Sequence, residues 1–321
     1  MEAGIKLLKN ALFIFSLISF IFLLLLCING LIASATGAEP EDEQVTLNIS
    51  SRAAIVIDFD TGMELYNHNA DERRNPASMT KMMAAYIVYE AIERGDIAMD
   101  TLIPVSASAA QLSRNPNETN VPLSSSSSYT VSDLLDAVIV VSAAGATRAL
   151  AEYLAGSRDT FVVLMNKKIA EWGLDAHFIS DSGGPQGAYV TPRAMAEITR
   201  IFINDFPEIL EKTALPRITF AGRTYESTNK LINEYEGIDG FKTGTNNHAG
   251  ACFTATVIRE DTRIISVTMG SSYNSRFPDS AKLLDRGFEV MEQIVYERNK
   301  ITARINLLAD SNLRTLIFIS K

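Results

Sequence analysis

Asn75-Pro76-Ala77-Ser78-Met79-Thr80-Lys81 is the stretch on which the reading of this chain turns. Pro76 suits the first turn of a helix. Met79, Met82, Met83, Tyr86, Ile87, Tyr89 and Glu90 then continue a helical pattern that closes near Gly95. Ser78 and Lys81, three residues apart, share one face of that helix about a turn apart. A hydroxyl is a poor nucleophile until a base takes its proton, and the lysine amine is placed to do so. The N–H groups and dipole at the same helix start favour a developing oxyanion. A second Ser-x-x-Lys string, Ser227-Thr228-Asn229-Lys230, has no such helix and reads as a chance match. Far downstream stands a more specific string, Lys242-Thr243-Gly244.

Outward from the heptapeptide the elements alternate. Ala53 to Phe59 is apolar and β-branched, turns at Asp60-Thr61-Gly62 and returns as a strand over Met63 to Asn67. The serine run Ser124 to Ser128 is a polar loop, after which Thr130 or Ser132 can cap a helix over Leu134 to Val141. Helices follow from about Ala146 to Leu154 and from Asp159 to Trp172. The Gly/Ser-rich stretch Ser180 to Gly187 is a loop, and Thr191-Pro192 starts a helix through Ile203. Cys252 to Ile258 and Arg263 to Met269, joined by the polar turn Arg259 to Thr262, form a hairpin, and Ser280 to Arg298 is a closing helix. This order predicts an α+β fold: an antiparallel sheet covered by helices, with a mostly helical subdomain.

Composition narrows the function. The 321 residues carry a net charge of -9, which argues against a nucleic-acid partner because such proteins usually present a basic face. Two cysteines, Cys27 and Cys252, and three scattered histidines, His68, His177 and His248, give no metal cluster, and no cofactor is expected. Cys252, between Ala251 and Phe253, reads as a buried strand thiol.

The N-terminus carries an export pattern. Lys6 and Lys9 precede the apolar run Ala11 to Leu26, followed by the small-residue sites Ala33-Ser34-Ala35 and Thr36-Gly37-Ala38. Residues 1–38 therefore read as a signal peptide. The alternative is an uncleaved anchor and membrane association, since Ala11 to Ile32 could reach across about 30 Å of hydrocarbon. Either puts the remainder outside the cytoplasm, at the cell wall or the outer face of the cytoplasmic membrane. Residues 39–44 form an acidic linker, 45–297 the main domain and 298–321 a short tail with no room for a second β-domain.

With these motifs in place, the chain resembles the low-molecular-mass penicillin-binding proteins, serine D-alanyl-D-alanine carboxypeptidases with a β-lactamase/transpeptidase-like fold. The likeness spans about Val45 to Glu297. It includes the heptapeptide, Phe161 to Gly173, Thr228-Asn229-Lys230-Leu231, Gly240-Phe241-Lys242-Thr243-Gly244, and Arg276-Phe277 with Lys282-Leu283-Leu284 and Gly287-Phe288. The resemblance implies that Ser78 attacks the carbonyl between two D-alanines of a peptidoglycan stem pentapeptide, with Lys81 as base. Lys81 must then be neutral part of the time, through burial and a second cation, for which Lys242 on an edge strand is the candidate. The N–H groups of Ser78 and Thr245 would form the oxyanion hole, and Lys242, Thr243 and Arg276 would hold the terminal carboxylate. β-Lactams would be covalent inhibitors.

One family element departs from its pattern. Where the family has Ser-x-Asn, this chain reads Ser142-Ala143-Ala144-Gly145-Ala146, so Ser142 is kept as a catalytic residue but the asparagine is Ala144. Ser113-Arg114-Asn115 fits the string but belongs to an Asn-Pro segment and does not stand in. Loss of one preorganised contact can cost about 10²-fold in rate. The alternatives to an active carboxypeptidase are thus a weakened or non-catalytic relative that binds wall peptide or penicillin, and a β-lactamase. The last is disfavoured because Ser180 to Pro192 contains no deacylating Glu.

Overall fold

The computed structural model describes residues 47–184 and 187–319, with side chains as far as residue 306. The expected signal segment and linker lie outside the described residues. A five-stranded antiparallel sheet is built from β1 (Ala53–Asp58), β2 (Glu64–His68), β9 (Ile238–Asn246), β10 (Gly250–Arg259) and β11 (Thr262–Ser271), in the order β2-β1-β11-β10-β9. All six residues of β1 are buried, which is why its first five, Ala53 to Ile57, are an apolar run without a polar face; the sixth, Asp58, accepts from the Thr61 N–H and hydroxyl at the turn. Two-stranded ribbons stand apart from the sheet: β3 (Leu102–Pro104) with β4 (Ser128–Thr130), β5 (Ala176–His177) with β6 (Tyr189–Val190), and β7 (Arg217–Phe220) with β8 (Arg223–Glu226).

Helices supply the other layers: α1 (Thr80–Glu93), α2 (Ala107–Leu112), α3 (Val131–Asp136), α4 (Ala144–Ala155), α5 (Arg158–Trp172), α6 (Pro192–Asp205), α7 (Ile209–Thr213) and α8 (Arg276–Ile319). Of the two capping residues expected for α3, Thr130 takes the role, its hydroxyl accepting from the Asp133 N–H; the helix then widens into a π turn over Ala137–Val141. Thr191 caps α6 in the same way. Helix α1 is buried on nearly every side, and its methionines, with Met79, fill the core as gap-fillers. Tyr86 and Tyr89 pack edge-on against Phe202 of α6.

Helix α8 departs from the sequence reading. The expected closing helix, Ser280 to Arg298, and the short tail after it are one helix that starts at Arg276 and continues to Ile319. The physical reason is the absence of a breaker: after Gly287 the helix contains neither glycine nor proline. Only its first part covers the sheet. A Cβ on Gly287 would stand 2.8 Å from both Ile264 Cδ1 and Val56 Cγ1, so the helix comes close to the sheet where the side chain is absent. Leu283, Leu284 and Phe288 are buried, whereas Tyr296, Ile301 and Ile305 are exposed. No helix among the described residues is long and apolar enough to cross a membrane.

Candidate active site

The nucleophile turn is built by backbone. Asn75 Oδ1 accepts the Ala77 N–H at 2.9 Å and the Asn246 amide at 3.1 Å, tying the turn to the end of β9. Ala77 stands at φ +47°, in the left-handed region that non-glycine residues rarely occupy, a kind of strain that gathers at functional sites. A 3₁₀ turn over Ala77–Met79 then runs into α1 and presents the half-buried Ser78 at the helix start. Two glycines let other backbones close on this turn. A Cβ on Gly244 of β9 would lie 2.5 Å from Pro76 O, and one on Gly183 would lie 2.3 Å from Ala77 O. Gly183 also sits at φ +104°, so side chains are excluded there twice over.

Lys81 is fully buried and its Nζ lies 2.9 Å from Ser78 Oγ. It also donates to the Ser182 carbonyl. Burial lowers its pKa from 10.5 to about 8, against the pull of the Glu118 and Asp181 carboxylates, which favour the ammonium. Lys242, on the edge strand β9, is likewise buried and donates to Thr243 O at 3.2 Å. Burial holds it well below the ordinary lysine value, and repulsion from Lys81 and Arg276 adds to this. Burial is the leading cause for both amines, and the repulsion between them disfavours charging both at once. Two amines that share a site this way titrate as a pair.

Arg276, the first residue of α8, reaches the same strand. Its Nη1 donates to Thr245 Oγ1 at 2.6 Å and to Gly244 O at 3.3 Å. Lys81, Lys242 and Arg276 thus converge beside Ser78; the Arg276 guanidinium is suited to an anionic group on a substrate, and such a group would favour the charged form of Lys242. Thr243 is also tethered, donating to Thr228 Oγ1 at 2.7 Å. The decoy string at Ser227 therefore contributes Thr228 as a brace for the Lys-Thr-Gly strand. Ser142 is buried in the left-handed region at φ 70°, between the π turn and α4. Its hydroxyl makes no hydrogen bond to Ser78, Lys81 or Lys242 among the described residues.

At the degenerate element, Ala144 is fully buried at the start of α4. Its N–H is taken by Thr119 O at 3.1 Å, and the Gly145 N–H by Asn120 Oδ1 at 2.7 Å. The 118–120 segment thus lies on the helix start and caps it. A Cβ on Gly145 would meet Ser113 Cβ at 2.6 Å, so the glycine admits the neighbouring segment. The Ser113 hydroxyl is itself committed, donating to Ala110 O and accepting from the Leu123 N–H. A cleft of about 370 Å³ opens beside these residues, lined by Glu118, Arg148, Ser182, Gly183, Asn246 and His248. Sequence reasoning passed over Glu118, Asp181, Ser182 and Gly183. The glycines of the 180–187 loop signalled a turn, but not that its backbone touches the nucleophile. Cys252 is a buried free thiol, as expected.

A serine activated by a buried lysine beside a cationic strand, on an antiparallel sheet covered by helices, defines a serine acyl-transfer enzyme of the penicillin-recognising type. The chain belongs to the peptidase S11 family, the D-alanyl-D-alanine carboxypeptidases, whose profile matches residues 37–273. It is 32% identical to the D-alanyl-D-alanine carboxypeptidase DacF of Bacillus subtilis over 80% of this chain and 67% of that one. It is 33% identical to DacC of Escherichia coli over 77% of this chain and 63% of that one. Among solved structures it is similar to penicillin-binding protein D2 of Listeria monocytogenes, determined with ampicillin bound (TM-score 0.70, 31% identity, 76% of this chain and 100% of that one). It is also similar to penicillin-binding protein 5 of Haemophilus influenzae (TM-score 0.72, 32% identity, 76% and 72%).

Proposed function

We propose that this chain removes the terminal D-alanine from peptidoglycan stem peptides ending in D-Ala-D-Ala, through an acyl-enzyme on Ser78. The observation that carries this reading is the 2.9 Å contact between Ser78 Oγ and a fully buried Lys81 whose pKa is brought down to about 8. Neutral Lys81 takes the Ser78 proton as Oγ attacks the carbonyl carbon between the two D-alanines. The N–H groups of Ser78 and Thr245 receive the oxyanion, and the proton passes to the departing D-alanine amine. Water then attacks the ester and releases the shortened peptide. Lys242, Thr243 and Arg276 hold the terminal carboxylate, and Ser142 is assigned as a catalytic residue on the retained motif serine alone.

The same serine opens β-lactam rings, a reading supported by the ampicillin- and cefotaxime-bound structures of the Listeria relative. The N-terminal export pattern supports work outside the cytoplasm, which N-terminal sequencing of the exported protein would check. For the reaction itself, the domain is incubated with a fluorescent penicillin and with a peptide ending in D-Ala-D-Ala. Label on Ser78 together with D-alanine release, both lost in Ser78→Ala, is expected. Label without D-alanine release would sink the carboxypeptidase reading, and rapid turnover of the penicillin would replace it by a β-lactamase.

A further inference from the structure

Asp181 carries no role in the reaction as described, yet it is a fully buried carboxylate next to the residue that binds the catalytic base. Its partner is Arg148 of α4, which grips it as a fork: Nε to Oδ2 at 2.6 Å and Nη2 to Oδ1 at 3.2 Å. Arg148 also donates to Ser108 of α2 at 3.1 Å. The pair therefore joins two helices to the 180–184 loop. On the other side of that loop, Ser182 O accepts from Lys81 Nζ, and Gly183 lies against the backbone of Ala77 and Ser78.

We propose that Arg148 and Asp181 are positioning residues for the acylation of Ser78: their buried fork clamps the 180–184 loop so that the Ser182 carbonyl holds Lys81 Nζ against the Ser78 hydroxyl. The chemistry makes the carbonyl matter. A neutral amine has two N–H bonds and one lone pair. With one N–H held by Ser182 O, Nζ cannot rotate freely, and its lone pair is kept toward the Ser78 O–H. Loosening the loop leaves the base present but poorly aimed. A misplacement of about 1 Å at a reacting group can cost about 10²-fold in rate. Burial matters as well: Asp181 is fully buried and the Arg148 side chain is 15% exposed, so this bidentate pair is held more rigidly than one on the open surface.

A charge effect must be separated from a positioning effect. The groups acting on Lys81 are Glu118 and Asp181, which favour its charged form, while Lys242 shares the site with Arg276 behind it. Removing either carboxylate's charge moves the pH at which Lys81 becomes neutral downward. Only loss of positioning lowers the rate once Lys81 is fully neutral. The inference rests on acylation of Ser78 as proposed above, and parent protein that labels at Ser78 secures that reading independently.

The test measures acylation by a fluorescent penicillin across pH in the full chain, resolving the pre-acylation dissociation constant from the acylation rate constant. For Asp181→Asn, the high-pH plateau of the rate constant should fall roughly tenfold or more, with the dissociation constant within about twofold of the parent and a folded thermal transition. Glu118→Gln should shift the midpoint downward and keep the plateau. Arg148→Lys keeps the charge and gives up the fork. It should lower the plateau several-fold, which serves if Asp181→Asn does not fold. The double variant Arg148→Gln with Asp181→Asn should fall no further than Asp181→Asn alone. A plateau at the parent level in folded Asp181→Asn or Arg148→Lys overturns the proposal. So does a loss explained entirely by a smaller labelled fraction, because that is the signature of a structural role alone.

Discussion

Acylation of Ser78 should rise with pH through the point at which Lys81 loses its proton, and stability should rise over the next stretch of pH. Lys81 titrates at about 8 where an ordinary lysine titrates at 10.5. At pH 7 roughly 9% of the amine is then neutral against roughly 0.03% otherwise, a gain of roughly 300-fold in competent base, or about 3 kcal/mol. The acylation rate constant should climb about tenfold per pH unit below that value and level off above it. The same burial works against folding. Between about 8 and 10.5 the unfolded chain holds a proton at Lys81 that the folded chain has released, so stability rises with pH across that window. The penalty is complete below the window and gone above it. Lys81→Met removes the penalty but strands the Ser182 carbonyl, an opposing loss of about 1–3 kcal/mol. The net sign at neutral pH is thus a small difference, but its trend is not: relative to the parent, the variant should lose ground as pH rises through the window. Urea midpoints at several pH values measure this, alongside penicillin labelling. A rate constant flat from about pH 6 to 9, or a stability gap constant across the window, would refute the assignment of burial as the cause.

Gly244→Ala would set a methyl 2.5 Å from Pro76 O, and should destabilise by about 1–3 kcal/mol and slow labelling together; a thermal transition at the parent value would count against the close approach. Arg276→Gln should lower kcat/KM for a free-acid D-Ala-D-Ala peptide roughly tenfold to a hundredfold, as expected for a lost charge-assisted bond, and leave a C-terminal amide peptide nearly unaffected. Equal losses on both peptides would remove Arg276 from the carboxylate clamp. Ala144→Asn should raise turnover, by up to about 10²-fold if the amide regains its contact; unchanged D-alanine release would mean that the missing asparagine is not what limits this chain.

Parts of this architecture are legible in the chain because one local rule governs them. The apolar run Ala53 to Ile57 reads as a buried strand because both of its faces are covered. Ser78 and Lys81 are legible because helical periodicity alone puts them together. What stays hidden depends on backbone atoms or on distant segments. Ser182 contributes a carbonyl, which any residue has, so nothing in its side chain announces the role. Glu118 is 37 positions from Lys81 in sequence, and acts on it because the 118–120 segment folds over the start of α4. The length of α8 is hidden for a simpler reason: the sequence reading closes the helix at Arg298, but no glycine or proline after Gly287 marks an end, and the helix runs on to Ile319.

The two glycines on the nucleophile turn have a consequence for how this site can vary. Gly183 and Gly244 bring main chain close to main chain on either side of Ser78: Gly183 against Ala77 and Ser78, Gly244 against Pro76 and Met79, where the Met79 side chain is the one flexible group in either contact. A substitution in the surrounding core can therefore be absorbed by neighbouring rotamers without moving the serine. Strain that enters through the edge of the sheet or through the 180–184 loop has no such cushion and passes directly to the nucleophile. Tolerance to mutation and sensitivity to bound ligands are thus divided between side chains and backbone. Variants that alter reactivity toward β-lactams without unfolding the protein should concentrate along those two stretches of chain.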